Sequence, residues 1–169
     1  MRILLVEPSI SPFDVPTGLI GLPEPLALEL IVAAVEPHHD IELLDMRLDT
    51  NLQQKIEAFK PDVVVTGCVT ANMHLGKEIL KQAKEFDESI LTIVGGHHAT
   101  MVPADFDLEY IDIIVKGEAD FSFAEIIKRY ESKQDIGEIP GLYIKKVHVF
   151  LQAKQYWLIL MKFQSQGGN

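Results

Sequence analysis

Ile90-Leu91-Thr92-Ile93-Val94-Gly95-Gly96-His97-His98 is the stretch from which the fold can be read. The apolar run Ile90 to Val94 predicts a buried strand. Two glycines then remove every side chain where strand hands over to loop. Backbone without a Cβ lets a large flat or charged ligand come closer than any other residue allows. Lys116-Gly117-Glu118 repeats the device after a second apolar run, Ile111 to Val115. Two such openings on one sheet edge point to a ligand lying across the strand ends.

Three more apolar runs precede these: Arg2 to Glu7, Ile41 to Leu44, and Val63-Val64-Val65 led in by Pro61-Asp62. Their unbroken burial suits the inner strands of a parallel sheet. Helical spacing lies between them. Pro25 opens a helix in which Leu26, Leu30 and Ala34, with neighbours Ala27, Ile31 and Val35, make an apolar face; Pro37 ends it. Thr50-Asn51-Leu52-Gln53 has the form of a capping box before Leu52, Ile56 and Phe59. Asn72 is placed to cap a helix whose stripe is Leu75, Ile79, Ala83 and Phe86. A last helix, from about Ala119 to Tyr130, carries Phe123, Ile127 and Tyr130 on one side. Strands alternating with helices mean βα units. The expected fold is α/β: a Rossmann- or flavodoxin-like doubly wound parallel sheet of order 2-1-3-4-5, covered on both faces as three αβα layers. Its ligand site belongs at the carboxyl ends of the strands, near the reversal of strand order. The loops from Pro8, Gly67, Gly95 and Gly117 all fall on that rim.

Two segments depart from this rhythm. Pro8 to Pro23 is far longer than the roughly 2–6 residues of an ordinary βα connection, which marks it as functional or disordered. Gly141-Leu142-Tyr143-Ile144 reads as an added edge strand. Beyond it, Val147 to Lys162 is aromatic and apolar without a clean period.

Composition narrows the function. The chain has 169 residues, 47% hydrophobic, enough for one core of ordinary size. A net charge of -10 disfavours nucleic acid and anionic membranes, which need a basic surface. The single cysteine, Cys68, excludes an internal disulfide and fits a reducing compartment. The first residues do not read as a signal peptide, and no apolar run reaches the length of about 18 residues that suggests a membrane span. The expected location is cytoplasmic.

The candidate site residues have competing structural readings. A double glycine also simply turns a strand into a loop. Thr66-Gly67-Cys68-Val69-Thr70 offers hydroxyls to a ligand, or is a small-residue turn. In an extended chain, neighbouring His97 and His98 face opposite ways, so one meets the rim and the other the interior. A hydrogen bond from one of them to a ligand amide or phosphate outweighs a metal site with Asp105 and Asp107. Cys68 reads as a small buried hydrophobe. Glu118 touches ligand or serves the helix macrodipole; Glu7 touches ligand or only ends its strand. No phosphate loop, GxSxG elbow or GxGxxG occurs.

Val94-Gly95-Gly96-His97-His98-Ala99-Thr100, then Pro103, then Asp112-Ile113-Ile114-Val115-Lys116-Gly117-Glu118-Ala119-Asp120 with Phe123, resembles the cobalamin-binding domain at the amino end of many radical S-adenosylmethionine enzymes. That group includes methyltransferases and the anaerobic magnesium-protoporphyrin cyclase type. Ile3-Leu4-Leu5-Val6 with Pro8, and Gly21-Leu22-Pro23-Glu24-Pro25-Leu26-Ala27-Leu28, match as well. The resemblance covers about residues 1 to 145 and implies the same doubly wound fold. It implies cobalamin over the strand ends, with the nucleotide tail entering between strands one and four and nearby helices. Gly95 and Gly96 match the family's position for close approach to that tail, and Thr66 and Thr70 its hydroxyl contacts. The implied cofactor-binding set is Pro8, Thr66, Gly67, Thr70, Gly95, Gly96, His97, Gly117 and Glu118.

Two departures shape the expected function. Glu7-Pro8-Ser9-Ile10-Ser11-Pro12-Phe13 has no His where cobalamin mutases carry Asp-x-His-x-x-Gly, so no protein ligand to cobalt and no protein metal site are expected. CxxxCxxC is absent, so this chain holds no iron–sulfur cluster. The expectation is a cobalamin-binding module, residues 1–145, without catalytic residues of its own, followed by an atypical tail, 146–169, that suits a truncation. Radical chemistry would need a catalytic domain or partner chain. A cofactor-free interaction or regulatory domain is the alternative, and a metal hydrolase using His97, His98 and Asp105 a weak third.

Overall fold

The computed structural model describes residues 1–9, 23–35, 37 and 39–144. The tail 146–169 and most of the connection from Pro8 to Pro23 lie outside them. The order is β1 (Arg2–Glu7), α1 (Leu26–Ala34), β2 (Asp40–Asp45), α2 (Leu52–Phe59), β3 (Val63–Gly67), α3 (Met73–Phe86), β4 (Leu91–Gly95), α4 (His97–Met101), a 3-10 turn (Pro103–Phe106), β5 (Ile113–Val115), α5 (Asp120–Glu131) and β6 (Leu142–Ile144). The sheet runs β2-β1-β3-β4-β5-β6. Its first five strands are parallel, in the order the sequence predicts, and β6 joins β5 antiparallel.

The pleat sorts the core into two layers. Ile3, Leu5, Val63, Val65, Leu91, Ile93, Ile113 and Val115 face α1 and α5, packing on Leu28, Ile31, Phe123, Ile126 and Ile127. The alternate residues Leu4, Val6, Val64, Val94 and Ile114 face α2, α3 and the segment from α4 to the 3-10 turn. Successive strand residues point to opposite faces, so unbroken apolar runs are what a sheet covered on both sides requires. Helix placement changes face on the two sides of β1, which puts the switch point between the ends of β1 and β3.

Several local expectations are corrected. In α1, Leu26 and Leu30 are 62% and 55% exposed, while Leu28, Ile31 and Val35 are buried. That helix is apolar on most sides, so its sequence carries no phase. Phe86 is likewise 45% exposed, and Leu80 takes its place in the α3 stripe. No capping box forms. Asn51, not Thr50, occupies the cap of α2, without a side-chain cap bond. The Asn51 N–H donates instead to Asp49 Oδ1 at 3.0 Å. Asn72 stands at the cap position of α3, but its Oδ1 accepts from the Val69 N–H at 2.9 Å, tightening the preceding loop. His97 and His98 open a short helix rather than continuing an extended chain.

Candidate functional site

Register fixes what stands at the carboxyl edge. Glu7 pairs with Asp45, Val6 with Thr66, Gly67 with Gly95, and Val94 with Ile114. Across the α1/α5 face the terminal row therefore reads Asp45, Glu7, Gly67, Gly95, Val115. Two side chains are missing in its middle. Among the described residues, a Cβ built at Gly67 meets only Leu28 Cδ2, at 4.0 Å, and one at Gly95 meets Val115 at 3.8 Å. Among the described residues neither glycine is needed for packing or for positive φ, and together they leave a bare strip beside the switch point.

Glu7 borders that strip. Burial raises its carboxyl above the ordinary 4.5; the Arg47 guanidinium opposes this and the Asp45 carboxylate adds to it. Arg47 is committed to Asp45, which its Nε and Nη2 meet at 2.8 and 2.7 Å. Those hydrogen bonds hold the Asp45 carboxyl below its usual range. Pro8, next in sequence, is buried.

Beyond the strand ends the loops are laced together. Cys68 N–H donates to Gly95 O at 2.9 Å, and His98 N–H to Cys68 O at 3.0 Å. Gly96 sits against this crossing with φ +94°, and a Cβ there would lie 2.7 Å from both Cys68 N and Cys68 O. The space that Gly96 leaves is taken by the protein's own backbone. Gly76, in α3, does the same for the Cys68 side chain: a Cβ would overlap Sγ. Cys68 is thus enclosed, and burial, with the Glu7 charge, pushes its thiol up to about 12. A thiol so raised is inert as a nucleophile.

The remaining predicted residues divide by accessibility. Thr66 is buried, and its hydroxyl donates to Val6 O at 2.9 Å, tying β3 to β1. Thr70 is exposed, with Oγ1 3.1 Å from His98 Nδ1. His97 is exposed and His98 buried, and His98 Nε2 lies 2.9 Å from Asp105 Oδ2. Gly117, at φ +80° with open space around it, donates its N–H to Thr100 Oγ1 at 2.9 Å. Thr100 also donates to Gly96 O at 3.0 Å, joining the loops after β4 and β5. Glu118 is exposed and precedes Ala119, the cap residue of α5. With both ring nitrogens of His98 engaged, none faces a metal. Among the described residues no group of three His, Cys, Asp or Glu could hold one. The roles of Gly76, Thr100 and Asp105 escape a reading of the sequence. Thr100 alone leaves a signal, four residues after Gly96 at helical spacing.

This edge, with its bare strip at the switch point, is where an open α/β sheet takes a ligand. The sequence model of the B12-binding domain matches residues 20–127. The chain belongs to the B12-binding domain family. An uncharacterized methyltransferase of Pyrococcus horikoshii is 28% identical over 153 residues, 86% of this chain and 33% of its own length. A hopanoid C-3 methylase of Methylococcus capsulatus is 28% identical over 150 residues, 84% of this chain and 28% of its own. An anaerobic magnesium-protoporphyrin IX monomethyl ester cyclase of Cereibacter sphaeroides is 27% identical over 140 residues, 78% of this chain and 22% of its own. This B12-binding domain therefore spans a third or less of these relatives. Among its described residues no helix is long and apolar enough to cross a membrane.

Proposed function

We propose that residues 1–145 form a cytoplasmic cobalamin-binding module that works with a radical S-adenosylmethionine catalytic domain or partner chain. The observation that carries this is the Gly67–Gly95 pair, two side chains absent from the carboxyl edge with no packing reason for their absence among the described residues. A cradle that a Cβ would narrow suits a bulky flat ligand. Cobalamin, when bound, supplies methyl-transfer or radical chemistry, and the protein's part is to hold, orient and shield it. Gly67 and Gly95 give the tail its approach. Thr70, His97, Gly117 and Glu118 rim the opening, while the buried Pro8 and Thr66 support it from within. Glu7-Pro8-Ser9 offers no imidazole, so this segment would hold the cofactor without supplying a histidine ligand to cobalt.

Retention of hydroxocobalamin through desalting, with a shifted visible spectrum, is the expected result. A Cβ at Gly67 meets no backbone among the described residues, so Gly67→Val is expected to weaken binding at least tenfold, with Gly67→Ala intermediate. Gly96→Val is the poorer probe, because it disturbs the Cys68 crossing directly. If the folded protein keeps no cobalamin, a cofactor-free interaction domain replaces this reading. Unchanged affinity in folded Gly67→Val removes the strip from the site.

A further inference from the structure

We infer that the His98–Asp105 pair fixes Thr70 as a hydrogen-bond acceptor on the rim, so that Thr70 selects a ligand N–H or O–H donor. An exposed threonine ordinarily turns its hydroxyl to suit either partner. Thr70 is exposed, but its Oγ1 is 3.1 Å from Nδ1 of a histidine only 6% exposed. The other ring nitrogen, Nε2, is 2.9 Å from Asp105 Oδ2. An ionised carboxylate has no hydrogen to give, so Nε2 carries one. In a neutral imidazole Nδ1 is then bare and must accept. The Thr70 O–H is the donor in that contact. Its hydrogen points inward, and its lone pairs face outward.

The ring is held against rearrangement. It meets Phe106 edge-on, with centroids 5.7 Å apart at 75°. Phe106 is fully buried, with Lys77 Nζ 5.3 Å from its centroid. The His98 backbone is bonded to Cys68. Turning the imidazole over would break both ring contacts at once. Asp105 and His98 are positioning residues; Thr70 is the one that meets ligand. A primary carboxamide, of which a corrin carries several, is the fitting donor. A phosphate oxygen, which only accepts, is refused here. The identity of the ligand rests on the cobalamin reading above; the relay does not.

The test has two arms on the full chain. In nitrogen-15 NMR of the histidine rings at neutral pH, His98 is expected as the Nε2–H tautomer with a bare Nδ1. Asp105→Ala is expected to release it into a tautomer mixture. An Nδ1–H tautomer in the unaltered protein overturns the inference. In the second arm, the dissociation constant for hydroxocobalamin is expected to stay within about twofold in Thr70→Ser, which keeps the hydroxyl. It is expected to rise about tenfold in Thr70→Val, the size of one well-made hydrogen bond. Asp105→Ala is expected to cost severalfold alone and nothing further in the Thr70→Val background, since the two act as one unit. Additive losses, or no loss in Thr70→Val, overturn the inference. If the unaltered protein retains no hydroxocobalamin, the cobalamin reading fails and the tautomer alone decides the relay.

Discussion

Two glycines on this rim share a left-handed backbone and differ in surroundings. Gly96 has φ +94° and Cys68 backbone 2.7 Å from where a Cβ would be; Gly117 has φ +80° and, among the described residues, nothing within 4 Å of that point. Gly117→Ala should cost about 1 kcal/mol, the conformational penalty alone. Gly96→Ala adds a clash with backbone that cannot turn aside and should cost about 3 kcal/mol. Urea unfolding of the two variants checks the difference; equal losses contradict the close contact. Glu7 gives a pH test. Its carboxyl is raised in the fold, chiefly by burial, so the folded state holds its proton more tightly than the unfolded chain. Stability from this group is therefore lost as pH rises from 4.5 through the raised value. Glu7→Gln should be more stable than the unaltered protein at neutral pH, with the gain fading as pH falls towards 4.5. Thermal melts across that range check it. At this scale the sequence was only half legible. It marks Gly96 as special, but not whether ligand or Cys68 fills the space, because the partner lies 28 positions away. Thr66 and Thr70 look alike in the chain; Thr66 lies inside β3, where its hydroxyl reaches Val6 O, whereas Thr70 lies in the loop beyond the strand end and stands on the rim.

Among the elements, α1 and α3 teach different lessons. An all-round apolar helix has no readable face, so Leu26 and Leu30 look as inward as Leu28. Leu28→Ala should cost about 3 kcal/mol, a buried leucine lost. Leu30→Gln should stay within about 0.5 kcal/mol, being on the exposed side. Chemical denaturation of both checks the phase of the helix. In α3, Gly76 exists so that Cys68 can lie against it. Gly76→Ala should destabilise by about 2 kcal/mol through overpacking. Cys68→Ala/Gly76→Ala should recover part of that loss, because the overlapping sulfur is gone. A double variant less stable than Gly76→Ala would refute the contact. Helix α4 could not be read from the pair His97-His98, since five residues carry too little periodicity. Burial of His98 and exposure of His97 nevertheless match the expected split between interior and rim.

Over the whole molecule the sheet has two unlike ends. At the amino edge, Asp112 Oδ2 gathers Lys84 Nζ at 2.7 Å, the Thr92 N–H at 2.9 Å and the Thr92 hydroxyl at 3.0 Å. Asp112 is 4% exposed, so removing it leaves the buried Thr92 N–H without its acceptor and the half-buried Lys84 ammonium without its carboxylate. Asp112→Ala should cost about 3 kcal/mol. Hydroxocobalamin affinity of the molecules that remain folded should be unchanged, because the carboxyl edge is untouched. Unfolding curves with and without the ligand separate the two effects. This large scale was the most legible. Five apolar runs in βα alternation give strand order almost without choice, and Gly141 to Ile144 announces the added strand. The layers follow from the pleat and need no tertiary information.

The antiparallel course of β6 has a geometric corollary. Leu142 stands beside Val115 near the rim and Ile144 beside Ile113 further down, so β6 descends away from the carboxyl edge. A domain attached after β6 that capped the proposed cofactor would have to turn back toward that edge. Ten extended residues reach at most about 35 Å, so the length of that tether would decide whether such a cap arrives from its own chain or from a neighbour.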